Sequence, residues 1–270
     1  MTQTAAVAPA PRRSRRADVR RAQRYATYIA LAAAGVLAWH VASMFTPEYL
    51  FPRVGDVAAK FVEILQTPSA YEAINETLKR LFWGFTFSVV VGFVIAVLMA
   101  TLSGSRDVLL PLVKVAMAVP AITWVLLSLI WFRSIEVRVF FIIFVIAFPI
   151  VTVNTYDGIR AVPEDLYSMI RSLRASRFGL LRLVVIPAAM PSIFSGLRVS
   201  LSLATRLAVF GEALSASSGI GSKMYIASQF FDTAGIIAWT IILVIVLFAL
   251  DGILGWIERR WFSWRTEIVT

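Results

Sequence analysis

The stretch VPEDLYSMIRSLRASRFGLLRLVVIPAAMPSIFSGLR, Val162–Arg198, carries five arginines and two acids between long apolar runs. Its own apolar residues recur at helical spacing in two pieces: Leu166, Ile170 and Leu173, then Leu180, Leu181, Val184 and Val185. A break falls near Ser176–Gly179. Pro163 suits a first helical turn, where its missing N–H costs nothing, and Glu164 and Asp165 suit that turn's positive end. Pro187 and Pro191 end the second piece, since a proline cannot continue a regular hydrogen-bond ladder. The reading is two short amphipathic helices meeting at an angle beside a membrane. Spacing alone leaves open a simpler role, a basic helix lying in the lipid interface.

The membrane follows from what surrounds the segment. The 270-residue chain is 59% hydrophobic with a mean hydropathy of +0.79, against about 45–50% apolar for an ordinary soluble domain. A bilayer core is crossed by about 20 apolar residues in a helix. Six stretches qualify: Thr27–Phe45, Phe82–Leu102, Val108–Phe132, Val137–Tyr156, Ser192–Leu214 and Ile236–Trp256. Runs this long read as helices, which satisfy their own backbone in lipid. The fold class expected is therefore an all-α membrane protein with six transmembrane helices. It divides into a basic leader (1–26), a first transmembrane helix (27–46), an outer amphipathic segment (47–81), a five-helix core (82–256) that contains the charged segment 162–191, and a tail (257–270). Within 47–81, Val57, Phe61, Ile64 and Leu65 line one face of a short helix expected to pack at the outer surface.

Basic residues orient the spans. With the N-terminus inside, sixteen of the 26 Lys and Arg fall in inner segments and seven in outer ones, so both termini are expected in the cytoplasm of a multi-pass cell-membrane protein. The net charge of +10 is then a topology signal and not a nucleic-acid footprint. There is no cysteine, which excludes disulfides and thiol catalysis, and the single histidine, His40, argues against a His-rich metal site. His40 is expected to pack between helices.

Ionisable groups at membrane depth are costly and face protein or water. Arg198, Ser202 and Arg206 share one stripe of the fifth span; Glu212 lies nearer its outer end and Lys114 early in the third span. With Pro120, these are the candidate pathway or gate residues. Arg198 also has a snorkelling or structural reading. For Arg206, lining the pathway and pairing with an acid such as Glu212 stay equally open. Asp251 is expected to anchor the sixth span. Pro111 and Pro120 are expected to break the third span and Pro149 the fourth.

The opening stretch also resembles a known pattern. Arg171, Leu173, Ala175, Ser176, Pro187, Pro191, Gly196, Leu197 and Arg198 match, in order and spacing, the cytoplasmic coupling segment of binding-protein-dependent ABC importer permeases. Ser168, Met169 and Ile170 stand where that family has Glu-Ala-Ala, and Arg174 where it has a glycine. The likeness extends over residues 50–266; "FGEALSASSGIGSKM" and "ERRWFSWR" are similar to the nitrate, sulfonate, taurine and bicarbonate subfamily. The resemblance implies an ABC importer type I permease fold. It implies a coupling segment that docks an ATPase through Leu166, Ile170, Arg171, Leu173, Arg174, Ala175 and Ser176. The partners it implies are two ABC ATPase subunits, an extracytoplasmic solute-binding protein, a second permease chain taken as an identical copy, and membrane lipid. No cofactor or catalytic residue is expected in this chain, where no G-x-x-x-x-G-K-[ST] phosphate loop occurs; ATP and Mg belong to the ATPase. The function implied is import of a small anionic solute. An ion-gradient-driven secondary transporter is the alternative, which six spans without a visible internal repeat disfavour. An intramembrane enzyme would need a nucleophile–base pair or a metal motif, and neither is visible.

Overall fold

The computed structural model describes residues 15–163, 179, 185–215 and 218–261. Their regular structure is helical: α1 Arg15–Met44, α2 Val54–Gln66, α3 Pro68–Thr101, α4 Ser105–Ala118, α5 Ala121–Trp131, α6 Ile135–Arg160, α7 Ile186–Ser215, α8 Ile220–Gln229 and α9 Thr233–Trp261. Ala26–Met44, Pro68–Thr101, Ile135–Arg160, Ile186–Leu214 and Thr233–Arg260 are each long and apolar enough to cross a membrane. Helices α4 and α5, bent by 90° at their junction, make a sixth crossing when taken as one span. The six-span all-α architecture holds.

At the centre is α6, packed along both α3 and α7. Lipid tails supply no hydrophobic drive between helices, so close backbone approach has to hold them together. The α3 sequence provides it with a stripe of small buried residues: Ala73, Thr77, Gly84, Ser88, Gly92 and Ala96. A Cβ on Gly92 would stand 2.8 Å from the Phe148 carbonyl oxygen, and one on Gly84 would stand 2.9 Å from Ile143 Cγ2.

The prolines divide by position. Pro120 forces Val119 into extended backbone (φ −69°, ψ 127°), ends α4 at Ala118 and begins α5 at a new angle. Pro111 and Pro149, by contrast, lie inside the continuous helices α4 and α6. The expectation that each would break its span is corrected: both helices run on through the proline. The prolines expected to stop the coupling segment belong to the next helix instead. Pro187 and Pro191 both lie within α7. The fifth span therefore starts before Ser192. Likewise α3 begins at Pro68, fourteen residues ahead of the apolar run at Phe82.

Two packing facts place the functional elements. Val162 and Val185 share one cluster with Ile159, Ala189, Ile193 and Phe194, and Leu254 and Ile257 of α9 pack against it. The chain thus leaves α6 and returns to α7 at one point. The coupling candidates Leu166, Ile170, Arg171, Leu173, Arg174, Ala175 and Ser176 lie outside the described residues. At the opposite end, α2 buries Phe61 and Ile64 against Ala238, Trp239 and Ile242 of α9 and Ile220 of α8. Helix α1 meets the bundle mainly at that same end, where Trp39 Nε1 donates to the Pro52 carbonyl (2.9 Å) and its ring lies 5.9 Å from Phe51. His40 is exposed on α1, so within this chain it is not a packed group.

Candidate functional site: a buried ionic network and the charges of α7

Three helices and the turn before α8 deliver side chains to one point at the end of the bundle that carries α2 and α8. Thr77 and Arg80 lie one turn apart on the small-residue stripe of α3 and so face inward. Glu136 is in the first turn of α6, Glu212 is in the last turn of α7, and Ser218 precedes α8. The Arg80 side chain is 3% exposed and that of Glu212 0%. Arg80 Nη1 donates to Glu212 Oε1 (2.8 Å) and to the Ser218 carbonyl (3.1 Å). Its Nη2 donates to Glu136 Oε1 (2.7 Å) and to Ser218 Oγ (2.9 Å), and Nε donates to Glu136 Oε2 (3.0 Å). All five guanidinium donors are used, which is what a buried arginine requires.

Glu212 is satisfied from other sides as well. Thr77 Oγ1 donates to its carboxylate (2.9 Å to Oε2), and the Gly221 N–H donates to Oε2 (3.1 Å). The Ile220 N–H donates in turn to Thr77 Oγ1 (2.9 Å). The turn wraps the carboxylate so closely that a Cβ on Gly219 would collide with it; Gly219 also has a left-handed φ of 105°. Glu136 differs from Glu212. Its side chain is 60% exposed, and among the described residues its carboxylate is bonded to Arg80 alone. With all five of its donors engaged, Arg80 joins α3, α6, α7 and the turn before α8 and has no hydrogen left to offer a passing solute.

The remaining sequence candidates do not gather here. Arg198 reaches sideways to α9, with Nη2 2.6 Å from Glu258 Oε2 and Nη1 3.7 Å from Asp251 Oδ2. Arg206 is exposed, on a face of α7 shared with Ser195, Val199, Leu203 and Phe210, and Ser202 is half-buried at its edge. Among the described residues Arg206 has no ion pair, and Glu212, its candidate acid, is committed to Arg80. Lys114 is exposed on α4, and Pro120 is exposed at the α4–α5 bend. No group of His, Cys, Asp and Glu that could hold a metal ion occurs among the described residues.

Sequence reasoning missed Arg80, Thr77, Glu136 and Ser218. Arg80 precedes the apolar run at Phe82 and was counted as an outer-loop charge. The signal that places it inside is the spacing of Ala73, Thr77, Arg80, Gly84 and Ser88, one continuous face of small residues interrupted by a cation.

Comparison with known proteins agrees with this architecture. The family model described as "Binding-protein-dependent transport system inner membrane component" matches residues 88–263. A putative ABC transporter permease protein of Methanocaldococcus jannaschii is 32% identical, over 88% of this chain and 91% of that protein. A bicarbonate transport system permease protein of Synechococcus elongatus is 30% identical, over 68% of this chain and 66% of its own length. Among solved structures, a bacterial ABC transporter involved in import of the acidic polysaccharide alginate superposes with a TM-score of 0.63 at 15% identity, covering 90% of this chain and 97% of that one; that likeness shows the fold.

Proposed function

The chain belongs to the family of binding-protein-dependent transport system inner membrane components, and from that premise we propose that it lines the pathway for a small anionic solute. It is a permease subunit of an ABC importer and a multi-pass inner-membrane protein. The secondary-transporter alternative has no support. In the proposed assembly a second copy of the chain completes the pathway. Two ATPase subunits carry ATP and Mg, and an extracytoplasmic binding protein delivers the solute. Both termini and the coupling segment 162–191 face the cytoplasm, and the network end faces outward.

The observation that supports an anionic solute is Arg206. Its charge lies on a face of α7 that is exposed among the described residues, with Ser202 beside it and its candidate acid already taken. A fixed positive charge lowers the cost of moving an anion through a low-dielectric space. The solute classes of the resembling subfamily, sulfonate, nitrate, taurine and bicarbonate, are compatible with this.

The test is Arg206→Gln in the importer assembled with its own ATPase and binding protein. Uptake is expected to fall while the amount of assembled complex stays normal. A complex that falls apart, while the residual protein transports normally per molecule, would make Arg206 structural and remove the main support for an anion.

A further inference from the structure

We propose that Arg198 is a positioning residue that ties α9 to α7 at the coupling end, so that α9 is carried with α7 when the coupling segment moves. The proposal begins with how α9 is held. Its first half is clamped at the opposite end of the bundle by α2 and α8, through Ala238, Trp239 and Ile242. Its contact with α7 is slight beside those two. At the coupling end α9 offers Leu254 and Ile257 to the cluster that contains Val162 and Val185. One polar tie accompanies that apolar contact.

The tie is built on three residues of α9. Asp251, Gly255 and Glu258 are spaced i, i+4 and i+7, one face of the helix. Arg198 lies across that face with its guanidinium between the two acids, 2.6 Å from Glu258 and 3.7 Å from Asp251. Gly255 makes the crossing possible, since a Cβ there would stand 2.9 Å from Arg198 Nη2. Arg259 comes to the same glycine, its Nη1 3.7 Å from that Cβ position. On α7, Arg198 follows Leu197, which is buried in the cluster at the root of the coupling segment. A displacement delivered to that root therefore reaches Arg198 within one residue. From there it passes to α9 through a charge-assisted bond that stays oriented.

The functional half of this proposal rests on the permease reading, so the test has two arms. In the first, spin labels at the exposed positions Val199 and Trp256 of the full-length chain in lipid nanodiscs report the α7–α9 distance. A single narrow distribution is expected for the native side chains. A broadened one is expected for Asp251→Asn with Glu258→Gln, variants of half-exposed acids that leave the apolar cluster intact, and Glu258→Asp should restore much of the narrowness. A distribution unchanged by the double variant would mean that Leu254 and Ile257 hold α9 unaided, and the tie would be refuted. In the second arm, solute uptake per ATP hydrolysed is measured in the assembled importer. The double variant should lower that ratio several-fold with the solute KM unchanged. Parallel loss of uptake and ATPase activity would reduce Arg198 to a stability element. If no ATPase associates with the native chain, the permease reading fails, while the distance arm still decides the tie.

Discussion

Arg80 is placed where a charge is most costly, and the distribution of its partners predicts an uneven response to mutation. Removing one member of a buried pair leaves the other uncompensated, at about 3–5 kcal/mol. Arg80→Gln and Glu212→Gln should each lower the thermal midpoint of the detergent-solubilised protein strongly. The pair Arg80→Met with Glu212→Leu should recover most of the loss, because the only charge left without its partner is the exposed Glu136. Glu136→Gln should cost no more than about 1 kcal/mol, since that carboxylate is 60% exposed. Equal losses for Glu136 and Glu212 would contradict the division between a wet arm and a dry one. Glu212 was legible in the sequence as an intramembrane acid. Its partner was not, because hydropathy ranks Arg80 with the loop before Phe82, whereas its guanidinium is held by Glu212 and Ser218, 132 and 138 residues away in the chain.

At the scale of elements, close approach and helix breaks decide the outcome. A methyl on Gly92 must displace the Phe148 carbonyl, a backbone atom with nowhere to go, so Gly92→Ala should destabilise by about 1–3 kcal/mol. Gly35 on α1 has nothing within 4 Å of the same position, and Gly35→Ala should be neutral or mildly stabilising. Thermal melts of the two variants side by side check the contrast. Pro120→Ala releases Val119 from extended backbone. The α4–α5 bend should then relax, lowering uptake while membrane insertion stays normal. The existence of these helices was legible because twenty apolar residues leave few alternatives. The 90° bend was not, because Pro111, Pro120 and Pro149 look alike in sequence. What separates them is that the helix runs on through Pro111 and Pro149 and stops at Pro120, which shows only in the folded chain.

For the molecule as a whole, orientation and coupling carry the tests. Reporter fusions after Arg24, Arg106, Arg177 and Arg265 should report cytoplasm, and fusions near Lys60 and Lys223 the outside; one reversed site among the last four spans would overturn the arrangement. Leu173→Asp with Ala175→Asp should lower uptake with normal insertion, if the proposed apolar contact with an ATPase is made there, because charge would then enter it. The six-span plan was legible from composition, and the pairing of helices was not, since α1 and α7 are equally greasy yet α1 is almost bare and α7 is half buried within the bundle. The Arg80–Glu212 pair also has a consequence for biosynthesis. Its partners are 132 residues apart in the chain, and ribosomes add about 5–20 residues per second. For on the order of ten seconds, then, each nascent molecule holds the arginine of its second span without the acid of its fifth. During that interval α3 has reason to ride high, its cation kept near the headgroups. Glu136 of α6 reaches the cation first and Glu212 of α7 completes its pairing, so the network closes in an order set by synthesis.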